Sequence, residues 1–203
     1  MALTLYDLKP QFVRLLSVPT GWLARHGITA NQVTVLAMLL SIVGGALFAL
    51  LPSSLLPFWV LPPLLLIRMA LNAIDGALAR QYNMQSKLGA ILNELGDVIS
   101  DTALYLPFLL ALGLHPLLVM GYIAMAIFTE FAGVMGQVIG ASRRYDGPSG
   151  KSDRAFLMGL GSVLVLCGVP HGIGWSMALL ALTLLCLLTT INRCRAALKE
   201  VQA

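Results

Sequence analysis

The sequence predicts an all-α polytopic membrane protein: six transmembrane helices preceded by an amphipathic surface helix, with both termini cytoplasmic. Composition is the first observation behind this class. Of 203 residues, 58% are hydrophobic and 11% charged, with a mean hydropathy of +0.86; a soluble domain carries about 25% charged residues. Second, six apolar runs lie near the roughly 20 residues that a helix needs to cross the hydrocarbon core. They cover residues 31–51, 57–82, 86–112, 116–140, 153–169 and 173–195. Third, every Lys and Arg except Arg68 flanks the first run, the turn after the second, the turn after the fourth, or the end of the sixth. The positive-inside rule makes that side cytoplasmic. Nothing resembles a separate soluble domain, so residues 1–203 read as a single membrane domain.

The N-terminal stretch lacks a compact apolar segment and a small-residue cleavage site, so no cleavable signal is expected. Leu5, Leu8, Phe12 and Leu15 or Leu16 follow a helical period with Lys9 and Arg14 between them, which predicts a surface helix over residues 2–17 that Pro10 bends or shortens. Span one opens on "ITANQVT", where Thr29 or Asn31 can cap the helix. Later spans are separated by "PSS", "HP", "RRYDGPSGKSD" and "PHG", which are ordinary helix punctuation. Gly136 and Gly140 form a GxxxG in span four, and Gly44 and Gly45 lighten span one; such glycines serve either a homodimer or internal helix packing.

Some chemistries are excluded early. Cys167, Cys186 and Cys194 have no metal-ligand or CxxC spacing, and no disulfide framework is implied. His26, His115 and His171 occur singly near span ends, where solvated roles are expected. No aromatic-interleaved basic face accompanies the net charge of +4, so nucleic acid is not an expected partner.

The informative polar residues lie in the hairpin of spans two and three. Asn72, Asp75 and Ala79 share one helical face, and Gly89, Asn93, Asp97 and Asp101 recur every fourth residue on the next helix. Counting the ~1.5 Å rise from a turn near Met84–Gln85 brings Asp75 level with Asn93 and Asn72 level with Asp97. Oxygen-rich convergence suits a hard divalent cation, Mg²⁺ or Mn²⁺ where phosphates are bridged. A hydrogen-bonded interhelical network without metal accounts for the spacing equally well.

This stretch resembles the CDP-alcohol phosphatidyltransferase signature D-x-x-D-G-x-x-A-R-x8-G-x3-D-x3-D: Asp75, Gly76, Ala79, Arg80, Gly89 and Asp97 match at the required spacing. "ITANQVT" is similar to the family's entry to the first span, and "GPSGKSDR" to its Gly-Lys stretch before span five, so the resemblance covers most of the chain. It implies transfer of a phosphatidyl group from CDP-diacylglycerol to a small or phosphorylated alcohol, releasing CMP, in phospholipid biosynthesis. Some relatives instead use a CDP-alcohol as donor. It further implies metal ligation by the first three motif positions (Asn72, Asp75 and Asn93 here) and a general base at Asp97. The CDP moiety would sit against Gly76, Ala79, Arg80 and Gly89, with Asn31 and Thr34 alongside. The site would face the cytoplasm from the cell (inner) membrane, among membrane lipids.

Two motif acids are amides here, Asn72 and Asn93, which supply oxygen without charge. In a shifted site, Asp97 becomes a metal ligand and Asp101 the base. The favoured alternative makes Asp101 a structural partner of Arg68, which lies mid-span and needs Asp101, Glu130 or both as counter-charge. Arg143, Arg144, Lys151 and Arg154 are candidates for an acceptor or lipid phosphate, against a purely topological role; the family-like stretch favours Lys151 and Arg154. A relative that binds nucleotide or lipid without turnover is the rival reading. Ion or proton transport by Asp97, Asp101 and Glu130 is a third, and it explains neither Gly76 nor Ala79–Arg80. The sequence does not select the acceptor.

Overall fold

The computed structural model describes residues 15–202, and every regular element among them is helical. In chain order these are α1 (Ser17–Arg25), α2 (Ala30–Leu50), α3 (Leu56–Gln81), α4 (Lys87–Ala111), α5 (Pro116–Val138), α6 (Lys151–Leu166) and α7 (Ile173–Gln202). Residues 2–14 of the expected surface helix lie outside the described residues. Helix α1 runs beyond the residues expected to be helical, and within it the Thr20 hydroxyl donates to the Leu16 carbonyl at 2.7 Å.

Local signals explain the helix ends. Thr29 and Gln32 form a reciprocal capping box at the start of α2, with contacts of 2.9 and 3.3 Å. Helix α3 stops where Asn83 takes a left-handed conformation, φ 55°, and the Met84 amide reaches back to the Ala79 carbonyl at 3.1 Å. Ser86 then caps α4 by accepting the Gly89 amide at 2.9 Å. Asp153 accepts the Gly150 amide at 3.0 Å and starts α6 two residues before the apolar run begins.

Helices α2, α3, α5 and α7 are each long and apolar enough to cross a membrane. Helix α4 carries Glu94, Asp97 and Asp101, and α6 has 16 residues. Leu50, Trp59, Leu66, Leu117 and Ile173 are exposed on helix surfaces. Apolar surface on this scale marks a chain embedded in lipid.

The chain falls into two compact units, Met1–Leu104 and Tyr105–Ala203. In the first, α2 packs on α3, and α1 also rests on α3. Ala30, Val33, Ile74 and Leu78 are buried there, with Leu16, Leu23, Ile28 and Leu71 packed around them. Gly44 permits the α2–α3 approach, since a Cβ there would stand 2.1 Å from Leu64 Cδ2. In the second unit α5 packs on α7. The loop from Ala141 to Arg144 lies along the glycine face of α5: Ala141 N donates to Gly136 O at 2.9 Å and Arg144 N to Gly133 O at 3.1 Å. A Cβ on Gly133 or Gly136 would stand 2.8 Å from a loop carbonyl oxygen. Gly136 thus serves internal packing, while Gly140, at φ +89°, turns the chain out of the helix.

Gly147 combines a left-handed backbone with close approach to a neighbouring main chain. Its φ is +116°, and a Cβ would stand 2.7 Å from the Cα of Thr189, whose hydroxyl accepts the Ser149 amide at 3.0 Å. Gly147→Ala should lower the thermal stability of detergent-solubilised protein, with about 1–3 kcal/mol from backbone strain alone. Gly172→Ala, in open space, should leave the melting temperature unchanged.

Candidate active site

In the first unit the polar stripes of α3 and α4 meet at the start of α2. Asp75 is buried, and its Oδ2 accepts the Thr34 hydroxyl at 2.8 Å. That hydroxyl also lies 3.1 Å from the Ala30 carbonyl, so its single proton is shared between the two acceptors. The opposite side of Thr34 faces α4: its methyl group lies 3.7 Å from where a Cβ on Gly96 would stand. Thr34 therefore sits between Asp75 and the residue that precedes Asp97. Thr34, a candidate from sequence either for lining the nucleotide site or for simply starting span one, gives its hydroxyl to a motif acid.

One turn nearer the start of α2, Asn31 Nδ2 donates to Ser86 Oγ at 3.4 Å. A Cβ on Gly89 would stand 2.6 Å from Asn31 Oδ1 and 2.9 Å from Ser86 Oγ, so the glycine is required for this approach. Ser86 was missed in the sequence reading. Its signal was there, a serine just before a helix that can cap an early amide. Gly76 is covered by its own helix: the guanidinium of exposed Arg80 curls back to 3.0 Å from the position of a Cβ.

Deeper along the hairpin, Arg68 is 2% exposed. Its Nη1 contacts Asp101 Oδ1 at 2.6 Å, while Nη2 lies 3.9 Å from Asp97 Oδ1 and donates to the Asp97 carbonyl at 3.4 Å. The expected Arg68–Asp101 pair is present. Between these two levels lies Asn72, half-buried, whose Nδ2 is buried without a hydrogen-bond partner among the described residues.

The donors present fit a hard cation and no other common metal. Among the described residues, no three His, Cys, Asp or Glu side chains gather as a metal site. The hairpin offers the carboxylates of Asp75 and Asp97 and the amides of Asn72 and Asn93, all oxygen donors of the kind Mg²⁺ and Mn²⁺ take. The unpartnered end of the Asn72 amide is consistent with such a ligand, because exchanging its O and N costs no protein hydrogen bond at that position.

The second unit holds a cluster of its own. Glu130, 5% exposed, receives Arg154 Nη2 at 2.8 Å, Arg143 Nη2 at 3.1 Å and Arg193 Nη1 at 3.3 Å. Arg154 also donates to Thr129 Oγ1 at 2.9 Å and to the Ser149 carbonyl at 3.1 Å. Arg193 bonds the Thr129 carbonyl, and Arg143 stacks over Tyr145, 4.4 Å from the ring centroid. Of the basic candidates, Arg143 and Arg154 are thus brought together. Arg144 lies apart on Asp146 and Glu200, and its hydrogen bonds hold the Asp146 carboxyl below the usual carboxylate range. Lys151 is half-buried at the start of α6. Arg193, read from sequence only as a topology signal, joins the cluster, and Glu130 is engaged by arginines of its own half.

Comparison with known proteins agrees with these features. Over 197 residues the chain is 48% identical to the inner membrane protein YnbA of Escherichia coli K12, covering 97% of each chain. It is 33% identical over 106 residues to the archaetidylinositol phosphate synthase of Aeropyrum pernix, covering 49% of this chain and 54% of that one. Its fold matches the phosphatidylinositol phosphate synthase PgsA1 of Mycobacterium tuberculosis, solved with CDP-DAG bound, with a TM-score of 0.72 at 21% identity over 94% of both chains. The same enzyme in complex with manganese and citrate matches with a TM-score of 0.71 at 21% identity, covering 93% of this chain and 89% of that one. Residues 27–191 match the family model described as CDP-alcohol phosphatidyltransferase, and the chain belongs to that family of membrane-embedded phospholipid-biosynthesis transferases.

Proposed function

We propose that this protein transfers the phosphatidyl group of CDP-diacylglycerol to a small alcohol and releases CMP, with Mg²⁺ or Mn²⁺ as cofactor. The observation that carries this reading is buried Asp75, held by Thr34 beside the α4 stripe that bears Asp97. Membership of the family and the printed activities of its relatives support it. Six spans, cytoplasmic termini and a cytoplasm-facing site in the inner membrane complete the reading; they follow from the distribution of Lys and Arg and from the likeness to an inner membrane protein.

Asn72, Asp75 and Asn93 would hold the ion. When bound, it would neutralise the pyrophosphate and the charge that develops on the departing CMP. Asp97 accepts the proton of the acceptor hydroxyl. The hydroxyl oxygen then forms a bond to the phosphatidyl phosphorus as the bond from that phosphorus to the bridging oxygen of CMP breaks. Gly76, Ala79, Arg80, Gly89 and Asn31 form the surface for the CDP moiety, where the absence of bulk at Gly89 lets α2 and the hairpin come close.

For the acceptor, a phosphorylated alcohol is favoured. Arg143 and Arg154 are the guanidinium groups proposed for its phosphate, a pairing that charge-assisted hydrogen bonds favour. Lys151, at the start of α6, is a further candidate for that phosphate. Two relatives are named phosphatidylinositol phosphate synthase and archaetidylinositol phosphate synthase. The rival, a protein that binds nucleotide or lipid without turnover, draws on the two uncharged motif positions, Asn72 and Asn93.

Purified protein given CDP-diacylglycerol and Mn²⁺ should release CMP only when an acceptor is added; glycerol phosphate, inositol phosphate, inositol and serine form the panel. Nucleotide binding with no acceptor-dependent CMP would favour the rival. Asp97→Asn should cut turnover by about 10²–10⁴. Asp101→Asn should keep turnover while losing stability, because removing one partner of a buried ion pair costs about 3–5 kcal/mol. Full turnover in Asp97→Asn would remove Asp97 as the base.

A further inference from the structure

We propose that Glu200, near the end of α7, is a positioning residue that holds Arg143 in place for the phosphate of the acceptor. The proposal rests on the phosphorylated-acceptor reading above and adds a residue, outside the site itself, that sets its geometry.

Helix α7 continues about two turns past the span expected from sequence. One face of it bears Arg193, Ala197 and Glu200, at the helical spacing that stacks side chains in a row. Each meets the second unit at a different level. Arg193 Nη1 lies 3.3 Å from Glu130 Oε2. The Ala197 Cβ stands 3.5 Å from where a Cβ on Gly136 would be. Glu200 reaches the loop that follows α5: its Oε1 accepts the Ser142 amide at 2.8 Å and its Oε2 the Ser142 hydroxyl at 2.9 Å. Arg144 Nη1 donates to the same Oε2.

These contacts fall on the two residues either side of Arg143. Ser142 is held twice by one carboxylate. Arg144 is held by that carboxylate, by Asp146 at 2.9 and 3.1 Å, and by its own amide on the Gly133 carbonyl at 3.1 Å. With both neighbours fixed, the backbone at Arg143 is fixed too, and its guanidinium reaches Glu130 at 3.1 Å while stacking over Tyr145. A binding group set in place beforehand loses less freedom when an anion arrives. Exposure points the same way. The side chains of Glu200 and Arg144 are 39% and 20% exposed, and an ion pair in contact with water contributes little to stability. Glu200 therefore governs where the loop lies more than whether the unit folds.

Steady-state kinetics of the full-length protein in detergent test this, with CDP-diacylglycerol, Mn²⁺ and either glycerol phosphate or inositol phosphate as acceptor. Glu200→Ala should raise the KM for the phosphorylated acceptor about 10-fold, as misplacing a binding group does. Its kcat, its KM for CDP-diacylglycerol and its melting temperature should stay near the wild-type values. Hydrogen exchange across residues 141–147 should quicken, because the Ser142 amide loses its acceptor. Glu200→Gln should fall between the two, since an amide oxygen still accepts from Ser142 while the charge facing Arg144 is gone; it also stands in should Glu200→Ala fail to fold. Arg143→Ala tests the reading beneath. If it raises the acceptor KM and Glu200→Ala does not, the positioning role is overturned and the phosphate reading stands. If neither variant changes that KM, or the wild type releases no CMP with either acceptor, both fall. Equal losses in kcat and in both KM values for Glu200→Ala would overturn positioning in favour of a structural role.

Discussion

A guanidinium cannot shed its charge, and in the middle of an apolar helix it has no water to turn to. Arg68 places that demand on α3, and the hairpin answers it with Asp101 at 2.6 Å. Meeting the demand fixes how far α4 slides along α3, because a shift of one turn would move the carboxylate about 5.4 Å along the axis. With Arg68 and Asp101 locked, the antiparallel rise carries Asn72 and Asp75 toward the level of Asp97 and Asn93. Replacing such a pair with apolar residues is often neutral for stability, so its value lies in register. That register sets which polar residues of the two helices face one another.

The second unit meets the same constraint with the signs reversed. Glu130 is the lone acid of α5, and Arg143, Arg154 and Arg193 reach it from the loop, from α6 and from α7. Because the three cations come from separate elements, Glu130 ties those elements together. The loop can lie close enough to deliver Arg143 because Gly133 and Gly136 present bare backbone, with loop amides donating to their carbonyls. Small residues on α5 and the arginine cluster are two parts of one arrangement.

Helix positions were largely legible from composition and punctuation, and the departures have local causes. Helix α5 stops at Val138 rather than 140 because Gly140 adopts a positive φ. Helix α6 starts at Lys151 because of the Asp153 cap, and ends at Leu166, ahead of Gly168 at φ +79°. Helix α7 runs on to Gln202, past the expected 195, since apolarity marks where lipid ends and good helix formers continue in "RAALKEVQ". At the site, periodicity along one helix gathered Asn72 with Asp75 and Asn93 with Asp97. It also anticipated the Arg68–Asp101 pair, because both residues belong to one hairpin with a short turn. The partners of Glu130 were hidden for the opposite reason: Arg143, Arg154 and Arg193 are distant in sequence and reach it only through tertiary packing. Arg193 also looked like a topology residue, and a basic residue near a span end carries no mark of which role it serves.

The first turns of α2 hold the two stripes in place, and the spacing of three residues there explains how. Thr29 fixes the helix start through its box with Gln32, which sets the direction of everything that follows. Asn31 and Thr34, three apart and so on one face, then touch the hairpin at two heights: Asn31 at Ser86, by the turn, and Thr34 at Asp75, one level deeper. The two contacts differ in kind. The Thr34 bond is short, buried and made to a charged group, so it is costly to break. The Asn31 bond is 3.4 Å long and lies at an exposed edge, so a competing donor or acceptor can replace it at little cost. Beside Gly89 the surface therefore presents an adaptable amide at the rim and a firmly held carboxylate beneath it.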